Sequence, residues 1–143
     1  MSIRKKRICI IVTIFLIIAL WVVIPLIMNP LRRSTGWIRK DLLQQMPIGI
    51  DMEDVIRIIE DNEAWTLVVQ RNFGLLLCSD GRTPIRSLNP ERFPDSPSIG
   101  EQSIRVYLGT YITFTRVAVE AYFAFDGEGY LLDIFIRKDL DVI

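Results

Sequence analysis

"IRVYLGTYITFTRVAVEAYFAFDGEGYLLDIFIRKD", residues 104–139, reads as strand throughout but not as one strand. From Ile104 the even positions are apolar: Ile104, Val106, Leu108, Ile112 and Phe114. From Val117 the odd positions take over: Val117, Val119, Ala121, Phe123 and Phe125. Successive side chains of a strand point to opposite faces, so a continuous strand with this one-residue slip would turn half its apolar set away from the core. A turn or bulge between Gly109 and Arg116 resolves the conflict and divides the stretch into two strands. Asp126-Gly127-Glu128-Gly129 is turn chemistry. Beyond it Leu132, Ile134 and Ile136 alternate with Asp133, Phe135 and Arg137, which predicts a further strand paired with the one before.

Upstream, Trp65, Leu67, Val69, Phe73, Leu75 and Leu77 share one parity, interrupted by Arg71. They predict a strand or two with one side facing the core, and Gly74 marks a bulge or turn. Before Trp65 the period changes to that of a helix. In "GIDMEDVIRIIEDNEAW", residues 49–65, Asp51 is placed to cap, and Glu53 and Asp54 sit where the positive end of the helix dipole favours acids. Met52, Val55, Ile56 and Ile59 form an apolar face, which predicts a helix from about Met52 to Asn62. Ser34 can cap an earlier helix carrying Ile38, Leu42 and Met46 at four-residue spacing. Pro47 ends it, since the residue before a proline is disfavoured in the α region. Helices gathered ahead of a run of strands predict the α+β class: two short helices packed on a three- to five-stranded antiparallel sheet.

The chain begins differently. "RKKRICIIVTIFLIIALWVVIPLIMNP", residues 4–30, has no charged side chain from Ile8 through Phe15 and Trp21 to Met28. As a helix this stretch would span roughly 30 Å, the thickness of a bilayer's hydrocarbon core. A cleaved leader has an apolar region of only about 7–15 residues before a small-x-small site, and the nearest such triplet, Ser34-Thr35-Gly36, lies well past the span. Residues 8–28 are therefore expected to be a transmembrane anchor in contact with the lipid bilayer, with residues 1–7 as a basic tail and 29–36 as a linker. Residues 37–143 are expected to form the α+β domain. Arg4, Lys5, Lys6 and Arg7 precede the span, while Arg32, Arg33, Arg39 and Lys40 follow it. The first group is packed against the membrane and joined by the terminal amine, and Asp41 dilutes the second. The positive-inside rule then favours an internal amino terminus and an extracytoplasmic domain at the cell membrane. No Gly-xxx-Gly pattern for close helix packing occurs in the span.

The formal charge of zero hides an asymmetry. Residues 1–36 hold six basic and no acidic side chains, leaving eleven basic against seventeen acidic in residues 37–143, a net of −6. An acidic domain is a poor polyanion binder, so nucleic acid is not an expected partner. The chain has no histidine, which removes the commonest general base, the commonest metal ligand and every Ser-His or Cys-His arrangement. Cys9 and Cys78 fall in the anchor and the domain and are not expected to pair. Cys78, Ser79, Asp80 and Tyr107 show no nucleophile next to a base. Asp126-Gly127-Glu128-Gly129 lacks the remaining ligands of a calcium loop. The acids at 51, 53, 54, 60, 61 and 63 read as a helix dipole complement and a solvated face. No catalytic residue, metal or cofactor is expected.

Two motifs carry a resemblance. Gly49-Ile50-Asp51-Met52-Glu53-Asp54-Val55, and Phe125-Asp126-Gly127-Glu128-Gly129-Tyr130-Leu131 followed by Ile134, resemble motifs of the small domain shared by the SmpA/OmlA (BamE-like) envelope proteins and the β-lactamase-inhibitor protein. Trp65 falls where that family often opens its first strand with an aromatic residue. The resemblance covers roughly residues 38–138 and implies a non-catalytic, envelope-facing domain that binds other proteins. The BamE-like proteins are lipoproteins, whereas this chain has an expected transmembrane anchor and no lipobox. The stretch of residues 83–100 is also long for the family. Residues 79–100 hold four of the chain's seven prolines and no periodicity. Structureless loops of this length are uncommon unless they have a task. Arg82, Arg86, Arg92 and Phe93 are the expected partner-binding residues there, the partner being another envelope protein. The alternatives are a membrane-tethered enzyme and a structural subunit of a membrane complex.

Overall fold

Ser34 and Asp51 start the two short helices. The Ser34 Oγ accepts from the Trp37 N–H and the Asp51 Oδ1 from the Glu53 N–H, satisfying donors that have no partner within a helix's first turn. The computed structural model describes residues 3–86 and 89–140, except for the side chains of residues 3–9, 22 and 25–27. Its helices are α1 (Ile3–Met28), α2 (Thr35–Gln45) and α3 (Met52–Glu60). The strands are β1 (Thr66–Arg71), β2 (Leu75–Leu76), β3 (Ser98–Ile99), β4 (Gln102–Ile112), β5 (Arg116–Phe125) and β6 (Leu131–Leu140). The class is α+β. A four-stranded antiparallel sheet runs in the order β1-β4-β5-β6, and β2 pairs with β3 in a separate ribbon.

The slip in the opening stretch is resolved by two devices. The β4–β5 register shifts between Tyr107 and Gly109, and the strands turn over residues 113–115. The bulge reverses the parity of the end of β4. Tyr111 packs onto the core, whereas Ile112 is 57% exposed and Phe114 fully so. Ile112 and Phe114, expected on the core face, are therefore outside it.

The core lies between the helices and one face of the sheet. Ile38, Leu42 and Met46 of the first helical segment and Met52, Val55 and Ile59 of the second meet Val106, Ala121, Phe123, Phe125 and Ile134. The two motifs behind the envelope-domain resemblance meet beside it. Gly49 N–H donates to the Leu131 carbonyl (2.8 Å), Leu131 N–H to Ile50 (2.9 Å) and Met52 N–H to Gly129 (2.9 Å).

β5 is buried on both faces. Its odd residues face the helices, while Tyr122 and Ala124 face a second cluster with Leu75 and Leu77. Trp65 and Leu67 belong to the helix-side core instead. The single parity run 65–77 thus serves two layers: the β1–β4 register shifts between Leu67 and Val69, so Arg71 already lies on the second face, and Leu75 and Leu77 follow on that side beyond Gly74.

The described side chains of α1 are apolar on every face. Ile10, Ile11 and Val12 lie about 100° apart around the helix, yet all are more than half exposed, as are Phe15, Trp21 and Met28. Among the described residues no helix is long and apolar enough to cross a membrane. The Ile8 side chain of the expected anchor, residues 1 and 2 of the expected tail and residues 141–143 of the expected domain lie outside the described residues.

Candidate functional site

The proline-rich stretch is a folded cover rather than a structureless loop. After Gly74, β2 pairs with β3, Leu77 N–H donates to Pro97 (2.8 Å) and Ile85 N–H to Leu76 (2.8 Å). The tip at Asp80-Gly81-Arg82 is closed by the Asp80 carboxylate. Its Oδ2 accepts from the Thr83 hydroxyl (2.5 Å) and its Oδ1 from the Arg82 and Thr83 N–H groups (2.8 and 2.9 Å). These bonds, the Thr83 hydroxyl first, hold the carboxyl down at about 2.

Under the cover lies an ionic cluster. Arg86 donates from Nε (2.9 Å) and Nη2 (2.8 Å) to the two oxygens of Glu120, and the Tyr122 hydroxyl donates to Glu120 Oε2 at 2.6 Å. Arg86 also lies 3.5 Å from Asp139, which pairs with Arg137 at 2.7 Å. Arg137 Nη1 reaches the Pro84 carbonyl (2.7 Å) and Arg71 Nη2 the Arg86 carbonyl (3.0 Å). Side chains of β1, β5 and β6 thus pin the cover to the second face of the sheet. Glu120 is 6% and Arg71 4% exposed. Burial would lift the Glu120 carboxyl, but the hydrogen bonds from Arg86 and Tyr122 outweigh it and hold the group below its usual range. Burial, then the Glu120 bond, pushes the Tyr122 phenol up to about 12. An ionised carboxylate occupied by three donors is an anchor for a loop, not a proton carrier. Nε of Arg71 and Nε of Arg105 have no acceptor among the described residues.

The four expected partner-binding residues divide. Arg86 stays exposed along part of its side chain while its guanidinium is bound to Glu120, so it also fastens the cover to the sheet. Arg82 opens onto a cleft of about 270 Å³, walled by Thr35, Gly36 and Arg39 of α2 and by Asp133, Phe135 and Ile136 of β6. Arg39 pairs with Asp133 there (2.6 Å) and donates to the Ile134 carbonyl (2.9 Å), covering one acceptor on an edge strand. The cleft is below the usual size for a small-molecule site. Arg92 and Phe93 are exposed on and just after the 3₁₀ turn Pro90–Arg92.

The ionic cluster was missed at the level of sequence although two residues signal it. Arg71 interrupts an apolar parity run, and Glu120 is the one charged residue from 117 to 125, a stretch otherwise without charge on both faces. A charge inside a strand pattern that is apolar on both sides needs a partner from another layer. The Asp126 carboxylate is used locally, its Oδ1 accepting from Glu128 N–H (3.0 Å) and Tyr130 N–H (2.8 Å). Among the described residues no group of acids is placed to hold a metal. No protein-family model matches the chain, and no curated protein or solved structure matches it.

Proposed function

We propose that this chain is a single-pass membrane-anchored protein that displays a small, non-catalytic interaction domain on the outer side of the membrane. The observation that carries this reading is α1. A 26-residue helix is about 39 Å long, and its described apolar side chains are exposed all round. A helix apolar on every face needs an apolar surrounding, and from Ile8 to Met28 nothing charged interrupts it. The basic cluster at Arg4–Arg7 supports an internal amino terminus.

The interaction surface is the outside of the cover, with Arg82 at the cleft and Arg92 and Phe93 beyond it. The cover is held rigidly from below, so it presents these groups at low entropic cost. The envelope-domain resemblance supports the same role, with another envelope protein as partner. A tethered enzyme is the weaker reading. Its mark would be a carboxyl held above its usual range in a deep pocket, whereas the buried Glu120 is held below it.

The test is crosslinking of the full chain in membranes against the triple variant Arg82→Ala, Arg92→Ala, Phe93→Ala. These are exposed residues, so each change should move stability by no more than about 0.5 kcal/mol. The expected result is loss of the crosslinked partner with unfolding unchanged. Retention of the same crosslinked species by the triple variant would contradict this surface.

A further inference from the structure

The chain that leaves α1 is fastened to one end of the sheet. Three and five residues after Met28, Leu31 and Arg33 offer their carbonyls to Lys138 Nζ at 2.7 and 2.5 Å. Arg32 donates through Nη2 to the Ile112 carbonyl and lies 5.9 Å from the Tyr111 ring centre. Asn29 caps the turn Pro30–Arg32, accepting from Leu31 N–H. There is no slack linker between α1 and the domain, so the end of α1 and this end of the sheet stay within a few residues' reach.

That end is also where the sheet exposes apolar side chains. Phe114, at the tip of the β4–β5 hairpin, is 106% exposed, Ile112 is 57% and Leu140 64% exposed. The register ties them together: Ile112 faces Arg116, and Tyr111, Val117 and Leu140 lie across from one another. No acidic residue occurs from 29 to 40 or from 102 to 119, while Arg32, Arg33 and Arg116 do, beside a domain of residues 37–143 whose net charge is −6. An exposed phenylalanine flanked by arginines is the composition that partitions into the headgroup boundary of an anionic bilayer.

We propose that the β4–β5 hairpin tip is a second membrane contact. Phe114 and Ile112 enter the headgroup region of the leaflet from which α1 emerges, with Arg116 against anionic phospholipid. The inference rests on α1 being an anchor. It adds that the domain stands in a fixed orientation on the membrane, with the 126–129 turn at the far end of the sheet and the cover's outer face to the side.

The test uses the full chain with Cys9→Ser and Cys78→Ser, reconstituted in vesicles of phosphatidylcholine with one-third phosphatidylglycerol. An environment-sensitive fluorophore is placed in turn at Phe15→Cys, Phe114→Cys and Glu128→Cys. The expected result is quenching by aqueous iodide that is several-fold weaker at position 114 than at 128, with 114 also quenched by bromolipid near the headgroups. Lipid protection at 15 with 114 as open to iodide as 128 would overturn the second contact while leaving the anchor. Iodide access at 15 would overturn the anchor and this inference with it. A further arm with Phe114→Asp, Ile112→Asp and the label at Arg116→Cys is expected to restore iodide quenching there. Unchanged protection would equally overturn the role of the apolar tip.

Discussion

Glu120→Ala is expected to lower the unfolding free energy by about 3 kcal/mol, the lower end of the range for breaking a buried ion pair. The lower end applies because Arg86, at 45% exposure, can turn to water once released. Tyr122 loses the acceptor of its hydroxyl, and Arg71, 4% exposed, loses compensation it cannot recover from solvent. Urea titration of the full chain in detergent, followed by tryptophan fluorescence, measures the loss. The same cluster sets a pH window. The Glu120 carboxyl lies lower in the folded than in the unfolded state, where it is near 4.3. Its contribution is therefore present above the unfolded value and is lost as pH falls through the folded one. Tyr122 is raised to about 12 against roughly 10 when unfolded. Its contribution is complete below about pH 10 and is lost as pH rises towards 12. Wild-type stability should fall on both sides of that window, and Glu120→Ala should flatten the acid side.

Gly100→Ala is the second large loss. Gly100 has φ +73°, and a Cβ there would stand 2.2 Å from the Phe125 carbonyl oxygen. That clash is with the backbone of the sheet's central strand, so relief requires the cover to move. The expected cost is about 3 kcal/mol or more, beyond what the left-handed conformation alone imposes. Gly81→Ala separates the two contributions. Gly81 also has positive φ, +64°, but open space around its Cβ position, and should cost about 1 kcal/mol. Equal losses at the two sites would mean that the close approach of residue 100 to β5 does not hold the cover.

Much of this architecture is legible in the residues, and the parts that are not have identifiable causes. Caps and apolar faces placed both short helices because those signals are local. The slip between Leu108 and Val117 called for a turn or a bulge between Gly109 and Arg116; the chain uses both, the bulge lying earlier between Tyr107 and Gly109, and so Ile112 and Phe114 fall on the other side. The run 65–77 looked like one face because alternation records parity and not layer. The bulge between Leu67 and Val69 switches the parity, so Leu67 and Leu77 bury against different partners. The cover escaped because two-residue strands held by prolines and side chains have no period to detect. Arg86 reads like Arg82 in sequence. Its inward turn depends on Glu120, thirty-four residues away, a distance no local pattern spans.

The central claim is that α1 holds the domain outside a membrane. The most direct measurement places a single thiol at Glu128→Cys, an exposed position at the far end of the sheet, with Cys9 and Cys78 replaced by serine. Intact cells are treated with a membrane-impermeant thiol reagent, and their membranes are then washed at alkaline pH and the protein weighed by mass spectrometry. The account predicts a full-length chain, retained in the washed membrane and labelled from outside. Release by the wash, a mass lacking α1, or labelling only after the cells are opened would contradict it.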